Sequence, residues 1–327
     1  MAVSVLGAGA WGTALAHALA ARSEVCLWAR DPLLAASVQQ ERANARYLPG
    51  VHLAQGVRCT ADLAQAVEHA HGGLLVAAVP TSGLRPLLAG LRPLAPAAAL
   101  AWLSKGLERG TGHFAHEIAA AELPAVASGP LSGPSFAQEV AAGRPTALVI
   151  AGSPALCGAV TQAVHAPTLR VYSSPDIVGV EVGGAVKNVL AIATGICDAL
   201  DLGLNARAAL MTRGLSETRR LALALGAQGD TLMGLAGLGD LVLTCTGALS
   251  RNRKVGLALG QGRTLEQALA ELGHVAEGVW SARPVVERAR RLGVEMPICE
   301  AVLEVLESGC SARVAVEQLL AREPRAE

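Results

Sequence analysis

Aromatic residues are scarce in this 327-residue chain: two Phe, two Tyr and four Trp make up 2% of it. A core built on large rings is excluded, so Ala, Leu and Val must fill the interior of a chain that is 52% hydrophobic. Lysine is nearly missing too. Of 27 basic residues only Lys105, Lys187 and Lys254 are lysines. Arg stays protonated near neutral pH whereas a buried Lys can exchange protons, so each remaining lysine is worth weighing for chemistry. The formal net charge is zero, which removes the electrostatic footprint expected for nucleic acid or an anionic membrane. The seven cysteines are scattered, odd in number and without a C-x-x-C pair. They read as free buried thiols in a reducing compartment, with no disulfide frame and no zinc or other metal set. The most apolar runs are broken by Arg92, Pro93 and Pro96 or contain Lys187, and none reaches the roughly 18 residues of a membrane span. No charged and apolar leader precedes Val3, so the expectation is a soluble cytoplasmic protein without membrane insertion.

What is present starts at the N-terminus. Val3 to Leu6 reads as a short strand running into Gly7-Ala8-Gly9-Ala10-Trp11-Gly12, and an Ala/Leu-rich helix opens from that turn. In a G-x-G-x-x-G turn between strand and helix, Gly7 permits the tight turn and Gly9 lets backbone approach a pyrophosphate. Gly12 lets helix pack on strand. The pyrophosphate then rests on the helix N-terminus, where unpaired N–H groups and the macrodipole favour negative charge. Glu24 to Ala29 reads as the next strand, with Arg30 near its end. An Arg there suits a 2′-phosphate, which points to NADP before NAD. Asp31 is the competing ribose ligand, although Asp31-Pro32 also has the form of a helix N-cap followed by Pro.

Strand-like segments recur at Val57 to Thr60, Leu74 to Val79, Ala98 to Ser104, Ala125 to Ser128, Ala147 to Ala151 and Leu169 to Tyr172, mostly separated by helical patterns such as Asp62 to Ala70 and Thr111 to Ala121. Alternation of this kind predicts an α/β fold with a doubly wound, largely parallel sheet covered on both faces. Ligands bind beyond the carboxyl ends of such strands. That rule singles out Val79 to Ser82, Ser104-Lys105-Gly106 and the stretch Ser128 to Ala137, read as a long Gly/Pro/Ser turn leading into a helix.

From about Ile177 the strand pattern stops. Helical patterns follow at Val178 to Leu200, Ala206 to Leu225, Arg251 to Leu259, Leu265 to Leu272, Ala276 to Leu292, Ile298 to Leu306 and Ala312 to Leu320. The expected division is a dinucleotide-binding domain over 1–178 and an all-helical substrate-binding and catalytic domain over 179–327. Lys187 falls inside the first of these helices, among Val, Ala and Leu. Desolvation there should lower its pKa and make it a usable general acid or base, unless its stem carries the amine to the surface. Gly183 and Gly184 cost helix stability and imply a close approach by another backbone or a ligand. Asp240 lies in a Gly-rich stretch beside the hydroxyls of Thr244 and Thr246, and Ser250-Arg251-Asn252 precedes a helix, as a phosphate site or as an ordinary cap would.

With these segments quoted, the chain resembles the bacterial NAD(P)-dependent glycerol-3-phosphate dehydrogenases. The resemblance rests on GAGAWGTALA at Gly7, SKGLE at Ser104, SGPSFAQEVAAGRPTA at Ser132, GGAVKNVLAIATG at Gly183, GLGDLVLTCTGALSRNR at Gly237 and HVAEG at His274. It implies an N-terminal Rossmann-type sheet followed by an all-helical domain, a homodimer, and reversible reduction of dihydroxyacetone phosphate to sn-glycerol 3-phosphate for phospholipid synthesis. By the same resemblance Lys187 is the catalytic lysine, with Lys105 near nicotinamide and substrate and Asp240 beside them. Gly133, Ser135, Asn188, Thr244, Ser250, Arg251 and Asn252 fall at substrate positions. Gly7, Gly9, Ala10, Trp11, Gly12, Arg30, Ala137, Val275 and Glu277 fall at cofactor positions, together with Lys105 and Arg251. A related reductase of another hydroxy acid or ketone, or an NADPH-binding module without catalysis, is the competing reading.

Overall fold

The segment Val3–Leu6 is buried along its whole length and forms β1, an interior strand of the sheet. In the computed structural model, which describes residues 1–273 and 275–322, it is followed by β2 (Val25–Trp28), β3 (Ala43–Asn44), β4 (Leu48–His52), β5 (Val57–Thr60), β6 (Leu74–Ala77), β7 (Ala99–Trp102), β8 (Ser128–Ser132), β9 (Thr146–Ala151) and β10 (Leu169–Ser174). Eight of these make one sheet in the order β10-β9-β8-β7-β6-β1-β2-β5. Val3 lies beside Val25 on one side and Leu74 on the other, both in parallel register. β1, β2 and β6 are buried at every residue, as strands covered by helices on both faces must be. Helices on the two faces bury separate apolar clusters, one around Val5, Leu15 and Val76 and one around Leu6, Leu88 and Trp102. The strand order reverses at β1, so the turn that leaves it lies at the switch point where open α/β sheets bind ligands.

Two features depart from expectation. The strand foreseen at Ala125 to Ser128 is instead Ser128–Ser132, so the first half of the supposed Gly/Pro/Ser loop is sheet. Gly and Pro weaken strand propensity, but a Cβ at Gly129 would overlap the Ala151 carbonyl oxygen, so this strand needs a residue without one. β8 pairs parallel with β7 and antiparallel with β9, Leu131 facing Ile150, which makes the sheet mixed. The second departure is the β3–β4 hairpin, whose two-residue first strand is too short to leave a pattern.

The chain divides into two compact units, 1–105 with 113–177 and 106–112 with the chain from Val178 onward. The second unit is organised on the helix Ile177–Ala199, buried from Gly179 through Cys197. Its length and hydropathy would let it cross a bilayer, yet 89% of its most apolar stretch is buried inside the protein. No other helix among the described residues is long and apolar enough to do so. Lacking rings, this core packs backbone against backbone. A Cβ at Gly183 would lie 2.7 Å from the Ala236 carbonyl oxygen, and one at Gly195 or Gly256 would overlap backbone of the facing helix. The close approach inferred from Gly183 is therefore a protein backbone.

Candidate active site

In the first unit the glycine turn leads into the helix Ala10–Leu19. Gly7 has φ +129°, and a Cβ there would lie 2.5 Å from the Ala78 carbonyl oxygen. A Cβ at Gly12 would overlap the Gly7 carbonyl, so both positions admit only glycine. Gly9 differs: a Cβ there would meet nothing within 4 Å. Gly9 is also the helix N-cap, with no side chain closing the first turn. An open face over uncapped N–H groups is what a pyrophosphate requires, so these residues fit a dinucleotide. Arg30 is exposed two residues beyond the end of β2.

A second group in the same unit gathers on residues far apart in sequence. The Trp11 indole N–H donates to the Ser135 carbonyl (3.1 Å) and lies 3.2 Å from its hydroxyl. The Ser135 hydroxyl donates to the Gly133 carbonyl at 3.1 Å, and Lys105 Nζ donates to the same oxygen at 3.2 Å. Gly133 has φ +126°, and a Cβ there would crowd the Ala147 carbonyl oxygen at 2.8 Å. Ala137 opens the short helix Ala137–Ala141 next to this group. Four predicted residues, Trp11, Lys105, Gly133 and Ser135, are thus joined by hydrogen bonds.

The second unit holds the other lysine. Lys187 is 7% exposed, which removes the alternative that its stem carries the amine to solvent. Its Nζ donates to Asp240 Oδ1 at 2.6 Å and to Thr244 Oγ1 at 2.8 Å. Burial disfavours a lone ammonium, and a buried carboxylate in contact supports one. Asp240, expected in a Gly-rich turn, is the first residue of the helix Asp240–Thr246, entered from a π-helical turn over Leu235–Gly239. Gly237 makes that turn possible, since a Cβ there would overlap the Leu232 backbone. One helical turn then brings the Thr244 hydroxyl under Asp240, where it donates to the Asp240 carbonyl at 2.6 Å. Cys245 follows, and burial pushes its thiol up to about 12, so it is no nucleophile.

Adjacent on the long helix, Asn188 accepts from Asn252 Nδ2 at 2.9 Å and donates to the Gly184 carbonyl at 3.3 Å. Asn252 Oδ1 accepts from the Gly278 N–H at 2.9 Å, near the start of the helix Glu277–Arg291. Ser250 caps the helix Arg251–Gly260 through the Arg253 N–H and is buried, while Arg251 is exposed at its first position. Arg253 is held by Asp198, at 2.9 Å from Nε and 2.5 Å from Nη2. Desolvation pulls the Arg251 guanidinium below its ordinary range, and the charge of Glu277 works against that; Val275 is 41% exposed. His274, part of the motif HVAEG, lies outside the described residues. Asn44 was not foreseen: 1% exposed, it donates from Nδ2 to the Ala8 carbonyl and to Thr13 Oγ1. Nothing in the local sequence sets this Asn apart from any other polar residue near a turn.

The sequence pattern described as the NAD-dependent glycerol-3-phosphate dehydrogenase N-terminus matches residues 2–156, and the corresponding C-terminus pattern matches 176–317. The chain belongs to this dehydrogenase family. A glycerol-3-phosphate dehydrogenase [NAD(P)+] of Methylibium petroleiphilum is 59% identical over 330 residues, covering 100% of this chain and 98% of that protein. One from Acidovorax ebreus is 57% identical with 100% and 99% covered. The crystal structure of the glycerol-3-phosphate dehydrogenase of Coxiella burnetii superposes with a TM-score of 0.94 at 41% identity, covering 98% of each chain. The family is an NAD(P)-dependent one, in agreement with the glycine turn and its open Gly9.

Proposed function

We propose that this dehydrogenase reduces dihydroxyacetone phosphate to sn-glycerol 3-phosphate, reversibly, with Lys187 as the proton donor and acceptor. One observation carries the reading: a lysine buried in an apolar helix, with its amine fixed by Asp240 and Thr244. NAD(P)H, when bound, supplies the hydride that adds to the carbonyl carbon of the substrate. Lys187 gives its proton to the carbonyl oxygen as the alkoxide forms, and takes it back in oxidation. The bond to Asp240 sets the direction of the amine, and the ion pair keeps it charged in the reductive direction. Arg251 and Asn252 hold the phosphate, Arg251 through its fork of donors and Asn252 as an amide pinned by Gly278 and Asn188. An anchor distant from the reacting carbon turns binding energy into orientation. Lys105, Gly133 and Ser135 contact substrate, with Lys105 also toward the nicotinamide, and Asn188 orients the hydroxyls.

The turn takes the pyrophosphate at Gly9, with Gly7 making the turn, Gly12 packing helix on strand and Ala10 and Trp11 adding cofactor contacts, and Arg30 beyond the end of β2 favours the 2′-phosphate of NADPH. Ala137, Val275 and Glu277 complete the cofactor contacts. The product feeds glycerophospholipid synthesis, and the working form is a cytoplasmic homodimer. A steady-state comparison of dihydroxyacetone phosphate with unphosphorylated dihydroxyacetone, each with NADPH and NADH, tests the reading. Turnover confined to the phosphorylated ketone, with NADPH preferred, is expected. Equal use of both ketones would leave Arg251 and Asn252 without their role and favour a reductase of another substrate.

A further inference from the structure

Ala8 sits between the first two glycines of the turn, and its carbonyl oxygen accepts from Asn44 Nδ2 at 2.9 Å. The same amide nitrogen donates to Thr13 Oγ1 at 2.8 Å, and Asn44 Oδ1 accepts from the Tyr47 N–H at 3.2 Å. Both hydrogens of the amide are therefore directed at the turn and at the first turn of its helix. The side chain reaches there from β3, outside the eight-stranded sheet. A peptide unit is planar, and in the trans form its C=O and N–H point in opposite directions. No cis peptide bond occurs among the described residues. Drawing the Ala8 carbonyl inward onto Asn44 therefore turns the Gly9 N–H outward, on the residue where even a Cβ would meet nothing within 4 Å.

We propose that Asn44 is a positioning residue for the cofactor: it fixes the Ala8–Gly9 peptide so that the Gly9 N–H faces the pyrophosphate. The inference rests on the reading of the turn as the pyrophosphate site and adds the residue that orients it. Without Asn44 the peptide is free to rotate, a buried carbonyl loses its donor, and the N–H is no longer aimed before the cofactor arrives. The loss should fall on the pyrophosphate and spare the adenosine end, which depends on Arg30 and the end of β2.

The experiment measures dissociation constants for NADPH and for 2′-AMP, which lacks the pyrophosphate, by quenching of tryptophan fluorescence in the full chain. Asn44→Asp keeps the shape but sets a carboxylate oxygen against the Ala8 carbonyl. Asn44→Ser is too short to reach that carbonyl and is small enough not to overpack the site. In both variants NADPH should bind about tenfold more weakly or worse, the loss of one buried charge-directing hydrogen bond. Binding of 2′-AMP should stay within about twofold of wild type, since no hydrogen bond to it is removed. Thr13→Val, which removes the other acceptor and leaves the Ala8 bond, should keep NADPH affinity while lowering the melting temperature. Unchanged NADPH affinity in folded Asn44→Ser would overturn the proposal, as would an equal loss for both ligands, which marks general unfolding of the cofactor unit. Wild-type protein that binds 2′-AMP but gains nothing from the rest of NADPH would instead refute the pyrophosphate reading of the turn.

Discussion

Replacing Lys187 with Ala separates what the ammonium does for chemistry from what it does for stability. On the proposed mechanism the variant loses a positioned general acid, an effect of about 10²–10⁴ in rate. That corresponds to roughly 3–5 kcal/mol on the barrier. In the fold it takes the ammonium away from Asp240, which is 2% exposed and whose partner amine sits at 2.6 Å. Removing one member of a buried pair costs about 3–5 kcal/mol. The two losses respond differently to a second change. Lys187→Ala with Asp240→Asn removes the buried negative charge as well, so most of the stability should return while turnover stays depressed. Denaturant unfolding gives the first quantity and NADPH consumption at saturating substrate the second. NADPH affinity should hold near the wild-type value throughout, because the proposal places Lys187 at the substrate and not among the cofactor contacts. Turnover within about tenfold of wild type in folded Lys187→Ala would refute its role, since a general acid supplies at least that much. Equal instability of the single and double variants would refute the ion-pair account.

Other outcomes follow from individual residues. Burial raises the Glu217 carboxyl from an ordinary 4.5 to about 7, against the pull of the Ile298 and Cys299 N–H groups and of Arg220. A carboxyl with a raised folded-state pKa binds a proton in the native chain before it does in the unfolded one. Its contribution to stability is therefore present at low pH and lost as pH rises from about 4.5 to about 7. Glu217→Gln should flatten the stability–pH curve over that window, and parallel curves would count against the assignment. Gly9→Ala should fold with an unchanged melting temperature, because a Cβ there meets nothing within 4 Å. Its KM for NADPH should still rise by about tenfold as the methyl enters the pyrophosphate space. Gly256→Ala should do the opposite, costing roughly 1–3 kcal/mol of stability by overpacking against Ile192, with KM for the cofactor unchanged. Arg30→Ala should lower kcat/KM with NADPH by about tenfold and leave NADH within about twofold, the loss of one charge-assisted contact. Equal losses with the two cofactors would remove Arg30 from the 2′-phosphate site.

Much of this architecture was legible before any coordinates. Hydrophobic runs mark β1, β2 and β6 because those strands are buried on both faces. The helix start at Asp31 announces itself by a capping side chain followed by Pro32. β8 was misplaced because Gly129 and Pro130 oppose a strand locally and are admitted by tertiary packing against Ala151. The short helix Asp240–Thr246 was hidden by the glycines of the π turn before it. Lys187 stood out by its rarity and its apolar neighbours, yet the carboxylate that holds it lies 53 positions away and only the fold joins them. Asn44 was invisible for the same reason, with its acceptors 36 and 31 positions distant.

In the proposed mechanism the Lys187 amine exchanges the proton at the oxygen on the substrate's second carbon while Arg251 and Asn252 hold the phosphate. A crystal structure of the complex with oxidised cofactor and sn-glycerol 3-phosphate tests it most directly. Lys187 Nζ should lie within hydrogen-bond reach of the C2 oxygen, with the Asp240 contact kept and the phosphate on Arg251 and Asn252. A phosphate bound elsewhere, or a C2 oxygen facing some other donor with Lys187 still closed on Asp240 and Thr244, would contradict it.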